Sequence, residues 1–209
     1  DVDKDFYYVA YGNLKEDNPG VYNFNNNTSL RTYTNNNGIT DDGIASSVYS
    51  TSADKDVTIN MNSNRLTVYS GTYLDGDSDE AYFYAKNGGN ITVNDVNGIT
   101  FSSNNTNEQD IYGFYAKDGG TITVNTVGTS TVAVTAANQL KSTDGEGAII
   151  KAENGSEINI NGNVNLMAYA ASGIKNVIDV SNGSEVTIGG GVLKVNGEAN
   201  VATLSGGST

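Results

Sequence analysis

Apolar residues along this chain come in short alternating bursts, not at helical spacing. Ile91-Thr92-Val93-Asn94, Ile122-Thr123-Val124-Asn125, Ile158-Asn159-Ile160-Asn161 and Val186-Thr187-Ile188-Gly189 each put aliphatic residues on one face and polar ones on the other. Val57-Thr58-Ile59-Asn60 is an earlier copy. Each of the first four bursts follows a small turn: Ala85-Lys86-Asn87-Gly88-Gly89, Ala116-Lys117-Asp118-Gly119-Gly120, Ala152-Glu153-Asn154-Gly155-Ser156 and Val180-Ser181-Asn182-Gly183-Ser184. Leu204-Ser205-Gly206-Gly207-Ser208 begins one more, and the intervals are 31, 36, 28 and 24 residues. Asn-Gly and Asp-Gly supply the positive-φ pair that a tight turn needs.

A second strand is predicted after each burst: Leu66–Val68, Ile99–Phe101, Val132–Val134, Val164–Leu166 and Leu193–Val195. A third leads into the next turn: Phe83–Ala85, Phe114–Ala116, Ile150–Ala152 and Ile178–Val180. Three short strands per repeat, with no helical period, predict an all-β solenoid. In this parallel β-helix each rung pairs with the next about 4.8 Å away. A sandwich explains turns but not one motif recurring every 24–36 residues. A propeller blade needs about 40–45 residues and four strands. Residues 48–209 are expected to form regular rungs and 1–47 irregular rungs or a cap. The last residues, Val201 to Thr209, stop where another copy should begin, so the chain reads as truncated at its C-terminus.

Composition narrows the chemistry. The 209 residues carry 11 Lys+Arg against 24 Asp+Glu, a net charge of −13, which argues against nucleic acid and other polyanions as partners. With no Cys and no His, there is no disulfide framework, no thiolate metal site, and neither a Ser-His-Asp nor a Cys-His centre. No apolar run is long enough to span a membrane, so no membrane insertion is expected.

Runs such as Ala152–Gly162, Val180–Gly197 and Ala116–Asn125 resemble the passenger domains of bacterial autotransporters. The resemblance covers residues 48–209 and rests on repeat style. It implies a right-handed β-helix exported through the outer membrane by a C-terminal barrel, expected to lie beyond the truncated end of this chain. It also implies an extracellular location at the bacterial cell surface and a non-enzymatic adhesin. Such adhesins bind host glycans, host cell-surface or extracellular-matrix proteins, or identical copies on neighbouring cells.

Candidate sites follow from residue types. If Phe83, Ala85, Phe114 and Ala116 point inward, alternation sends Tyr82, Tyr84 and Tyr115 outward, with Lys151 and Asp179 continuing their row. Exposed tyrosines suit sugars or protein pockets, which makes Tyr82, Tyr84, Tyr115 and Lys151 the first ligand-binding candidates; the competing reading is a cross-strand aromatic ladder partly covered by a loop such as 69–80 or 102–112. Asn60, Asn94, Asn125 and Asn161 should stack into a structural ladder. Thr58, Thr92, Thr123 and Thr187, interrupted by Asn159, form a further outward row suited to zipping against a second copy.

Asp75, Asp77 and Asp79 resemble the start of a calcium loop, but Glu80 stands where the loop needs Gly and Lys86 where it needs Glu. They are at most a weak Ca²⁺ site beside a solvated-loop reading, and no other cofactor is implied. Asp41 and Asp42 are adjacent, as in an acid–base pair, yet they lack the His or basic cluster of polysaccharide-cleaving β-helices. A polysaccharide lyase, hydrolase or tailspike-like enzyme and a plain spacer rod are the competing classes.

Overall fold

The computed structural model describes residues 9–11, 20–31, 48–50, 52–70, 81–103, 112–127, 132–136, 148–169, 176–196 and 200–209. Every regular element among them is a strand. The first are β1 (Val9–Tyr11), β2 (Gly20–Asn23) and β3 (Thr28–Arg31). One circuit follows as β4 (Val48–Ser50), β5 (Val57–Asn60) and β6 (Leu66–Ser70). The next is β7 (Ala81–Lys86), β8 (Asn90–Val96) and β9 (Ile99–Ser103). Then come β10 (Tyr112–Lys117), β11 (Thr121–Thr126) and β12 (Val132–Ala136). The last full circuits are β13 (Ile150–Glu153), β14 (Glu157–Asn161) and β15 (Val164–Tyr169), then β16 (Asn176–Val180), β17 (Glu185–Ile188) and β18 (Gly191–Asn196). β19 (Asn200–Leu204) begins another.

These strands form three parallel sheets, and from β4 onward the chain visits them in a fixed cycle. Sheet A runs β1-β3-β6-β9-β12-β15-β18, sheet B runs β4-β7-β10-β13-β16-β19, and sheet C runs β2-β5-β8-β11-β14-β17. The arrangement is compatible with a parallel β-helix. Within residues 1–47, expected to be irregular rungs or a cap, β1 and β3 pair in sheet A and β2 pairs with β5 in sheet C.

The turn reading is confirmed in its dihedral angles. Asn87, Asp118, Asn154 and Asn182 have φ of 51–57°, and the Gly after each has φ of 71–78°. Asn and Asp tolerate this left-handed region and Gly enters it without a Cβ penalty, so the pair turns the chain from sheet B to sheet C in two residues. The inward faces of all three sheets meet in one core. Ile59, Val93, Val124 and Ile160 supply it from sheet C, Leu66, Ile99 and Phe101 from sheet A, and Phe83, Phe114 and Ile150 from sheet B. Phe114 lies 5.1 Å from both Phe83 and Phe101, ring centre to ring centre, within aromatic contact range.

Strict alternation fails at one place. Tyr82 and Phe83 both belong to the inner core, as do Ile149 and Ile150, and Val177 and Ile178. The chain is rounding the corner into sheet B there, so consecutive side chains share the interior. Tyr82 packs 4.8 Å from Phe101. Gly113 occupies the same row one rung later, where an added Cβ would come 2.7 Å from a Phe101 ring carbon. The glycine leaves room for a ring contributed by sheet A.

Candidate functional site

Sheets B and C present different exteriors. On sheet C the outward residues run in register from Val21 through Thr58, Thr92, Thr123 and Asn159 to Thr187. Two residues along each strand lies the asparagine row, and its side chains are hydrogen-bonded throughout. Asn60 Nδ2 donates to Asn23 Oδ1 at 2.8 Å, Asn94 to Asn60 at 3.0 Å, Asn125 to Asn94 at 2.8 Å and Asn161 to Asn125 at 2.9 Å. The predicted ladder is therefore present, and Asn23 extends it by one rung. The signal for Asn23 was its place at the end of Gly20-Val21-Tyr22-Asn23, matching Asn60 in Val57–Asn60.

Each inner member of the ladder uses one amide hydrogen and one oxygen lone pair, leaving another of each for a partner. Threonine beside it is stiff about χ1. From Thr58 to Asn125 these two rows carry no charge, although the chain carries −13. Acidic groups flank them: Asp56, which accepts from Asn90 Nδ2 at 2.8 Å, and the register pair Glu157 and Glu185. Asn159 departs from the threonine row and donates to Glu157 Oε1 at 2.6 Å.

Sheet B decides between the two readings of the tyrosine row, against exposed tyrosines and for an aromatic ladder. The predicted row is real: Tyr49, Tyr84, Tyr115, Lys151 and Asp179 lie in register. Its rings are nevertheless buried, Tyr84 at 0% exposed and Tyr115 at 2%. With Tyr49, Ala81, Tyr112 and Ala148 they form a second apolar cluster on the outer side of the sheet. Tyr82 does not join it, because it faces the inner core. β7 and β10 thus carry apolar layers on both faces, where alternation predicts a wet side. Tyr84 and Tyr115 stack 5.2 Å apart, and Tyr112 lies 4.9 Å from Tyr115.

Lys151 closes this layer. Its ammonium sits 4.8 Å from the centre of the Tyr112 ring and 5.4 Å from that of Tyr115, within cation–π range. It donates to Tyr112 Oη at 3.3 Å and lies 3.7 Å from Glu153 Oε2. Glu153 also accepts from Tyr115 Oη at 2.5 Å and pairs with Lys117 at 3.5 Å. Burial pushes the Lys151 ammonium down, but Tyr112, Glu153 and Asp179 together outweigh it and hold the group above the ordinary lysine value of 10.5. Tyr112 and Glu153 were missed in the sequence because neither repeats along its row.

The remaining candidates, Asp41, Asp42, Asp75, Asp77 and Asp79, lie outside the described residues. Among the described residues no three His, Cys, Asp or Glu side chains gather as a metal site, and no helix is long and apolar enough to cross a membrane. Comparison of the chain with family models, with curated proteins and with solved structures gives no match.

Proposed function

We propose that the chain is part of a right-handed parallel β-helix of the autotransporter-passenger type, displayed outside the bacterial cell as an adhesive rod. The hand follows the strong right-handed preference of crossovers between parallel strands of one sheet. The observation that carries the adhesive reading is the uncharged Thr/Asn face of sheet C, in register over successive rungs. The tyrosines first suited to ligands are consumed inside the protein, whereas the Thr/Asn rows, half-buried to exposed, are a repeated polar feature on the outside of the described residues.

The partner we assign to this face is a second copy of the chain. Its hydroxyls and amides repeat at the rung spacing of about 4.8 Å, and another such stack offers complementary groups at the same interval. Each contact is weak, and many in line supply avidity. The −13 charge opposes approach at low salt, and screening at a Debye length of about 8 Å at physiological ionic strength relieves it.

Sedimentation of the purified protein across salt concentrations tests this, together with aggregation of beads coated with it. Self-association that strengthens with salt and is lost in Thr92→Arg/Thr123→Arg supports the reading. A monomer at every salt and concentration, with beads that stay dispersed, sinks it. Capture on a glycan or matrix-protein array by the same monomer would move the partner from self to host.

A further inference from the structure

The B-to-C corner carries a polar stack of its own, separate from the ladder on sheet C. Asn182 Nδ2 donates to Asn154 Oδ1 at 3.0 Å, and Asn154 Nδ2 donates to Asp118 Oδ1 at 2.8 Å. Every bond points the same way, from the later rung to the earlier one. Asp118 is a carboxylate, which accepts but has no hydrogen to pass on. Asn87, next in the stack, therefore receives nothing from above. Among the described residues its side chain makes no hydrogen bond.

Among its described residues, the rung before Asn87 offers it nothing either. That corner is one residue longer and is built from Ser52, Ala53, Asp54 and Lys55. Register from the Ser50–Ala85 pair sets Ser52 beneath Asn87, but its hydroxyl donates to Asp54 Oδ1 at 2.6 Å. The same bond holds the Asp54 carboxyl below its ordinary value. Asn87, Asn154 and Asn182 thus share the Asn-Gly sequence, a left-handed conformation and an exposed position, with φ of 52, 57 and 54°. The backbone does not separate Asn87 from Asn154: Gly88 N donates to Asp118 O at 3.2 Å, and Gly155 N to Asn182 O at 3.0 Å. What separates them is the side-chain partner.

We infer that Asn87 is a site of spontaneous covalent modification, deamidating ahead of Asn154, whose following amide is bonded alike, because among the described residues its carboxamide is unheld. Asn-Gly is the dipeptide in which a small following residue leaves the next amide free to attack, and asparagine is among the thermolabile residue types. After local opening of the corner, Gly88 N loses its proton and bonds to Asn87 Cγ. The Cγ–Nδ2 bond breaks, and Nδ2 leaves as ammonia with the displaced hydrogen. Water then opens the succinimide, at Cγ to give aspartate or at the backbone carbonyl to give isoaspartate. Each event adds one negative charge directly beside Asp118.

Incubation of the folded protein in mildly alkaline buffer, followed by peptide mapping with fragmentation that distinguishes isoaspartate, tests this. Asn87 should convert about five-fold faster than Asn154, the factor matching one net hydrogen bond of about 1 kcal/mol at 1.4 kcal/mol per tenfold. In denatured protein the three sites should react alike, since their local sequences are alike. Asp118→Asn restores a donor pointing at Asn87 Oδ1 and should slow conversion there to the Asn154 rate. Equal rates at Asn87 and Asn154 in folded protein, or an Asn87 rate unmoved by Asp118→Asn, would overturn the inference.

Discussion

The outer faces of sheets B and C are built on the same strand geometry and end up as opposites. Sheet C turns threonine and asparagine to water and ties them with side-chain bonds from rung to rung. Sheet B turns tyrosines outward and buries them in a second apolar cluster that ends at Lys151 and Glu153. The exterior of these three stacked parallel sheets is therefore not uniform. One side is recruited into stability and another is left as regular polar surface, so substitutions that look alike on the strand pattern should differ in cost.

Breaking the sheet B layer should have the largest effect. Tyr115→Ala removes a buried ring, its contacts with Tyr84 and Tyr112, and its bond to Glu153. A loss of about 3 kcal/mol or more is expected from urea unfolding. An unchanged midpoint would mean the outer cluster contributes nothing. Gly113→Ala tests the corner between sheets A and B, where the new methyl meets Phe101; about 1–3 kcal/mol is expected in the same assay.

On sheet C the cost should be smaller. Asn94→Ala leaves Asn60 Oδ1 and an Asn125 amide hydrogen without their ladder partners, at about 1–2 kcal/mol because both are only partly buried. The end member, Asn161, should cost less than the middle one. Thr92→Arg/Thr123→Arg should change folding stability by about 0.5 kcal/mol or less per site while abolishing self-association, the contrast that separates surface from scaffold.

Lys151 sharpens the comparison through pH. Its folded value lies above the unfolded 10.5, so its contribution is fully present below that pH and is lost as pH rises through the folded value. Stability measured from neutral pH upward should fall more steeply above about pH 10.5 in the parent than in Lys151→Met. Identical slopes would mean the cluster does not hold the ammonium.

Much of the scaffold was legible because it depends on local chemistry. The Asn-Gly corners need left-handed residues, and Ile91, Ile122 and Ile158 need a shared interior. Stacking those bursts in register then puts Asn60, Asn94, Asn125 and Asn161 in line. The fate of Tyr84 and Tyr115 was legible only as two alternatives, exposed face or covered aromatic ladder, because whether an outward side chain is wet depends on what packs over its sheet, which alternation along a strand does not encode. Tyr82 was misread for a different reason. Period-2 counting assumes a straight strand, and the backbone is already turning at Tyr82. Tyr49 joins the layer from a segment in which no repeat was read, and Tyr112 stands where the preceding rung has Ala81, so nothing in the pattern linked them to Tyr84.

The corner lengths also bear on how such a chain can change over generations. Links from sheet B to sheet C stay short, from Lys86 to Asn90, Lys117 to Thr121 and Glu153 to Glu157. Links from sheet A to sheet B vary, from Ser70 to Ala81, Ser103 to Tyr112, Ala136 to Ile150 and Tyr169 to Asn176. Register across the sheets is kept regardless. Insertions at that one corner cost little more than loop closure, which grows slowly with length. New sequence can thus be tried there while each rung still contacts only its neighbours, and whole rungs can be duplicated or lost without rewriting the rest.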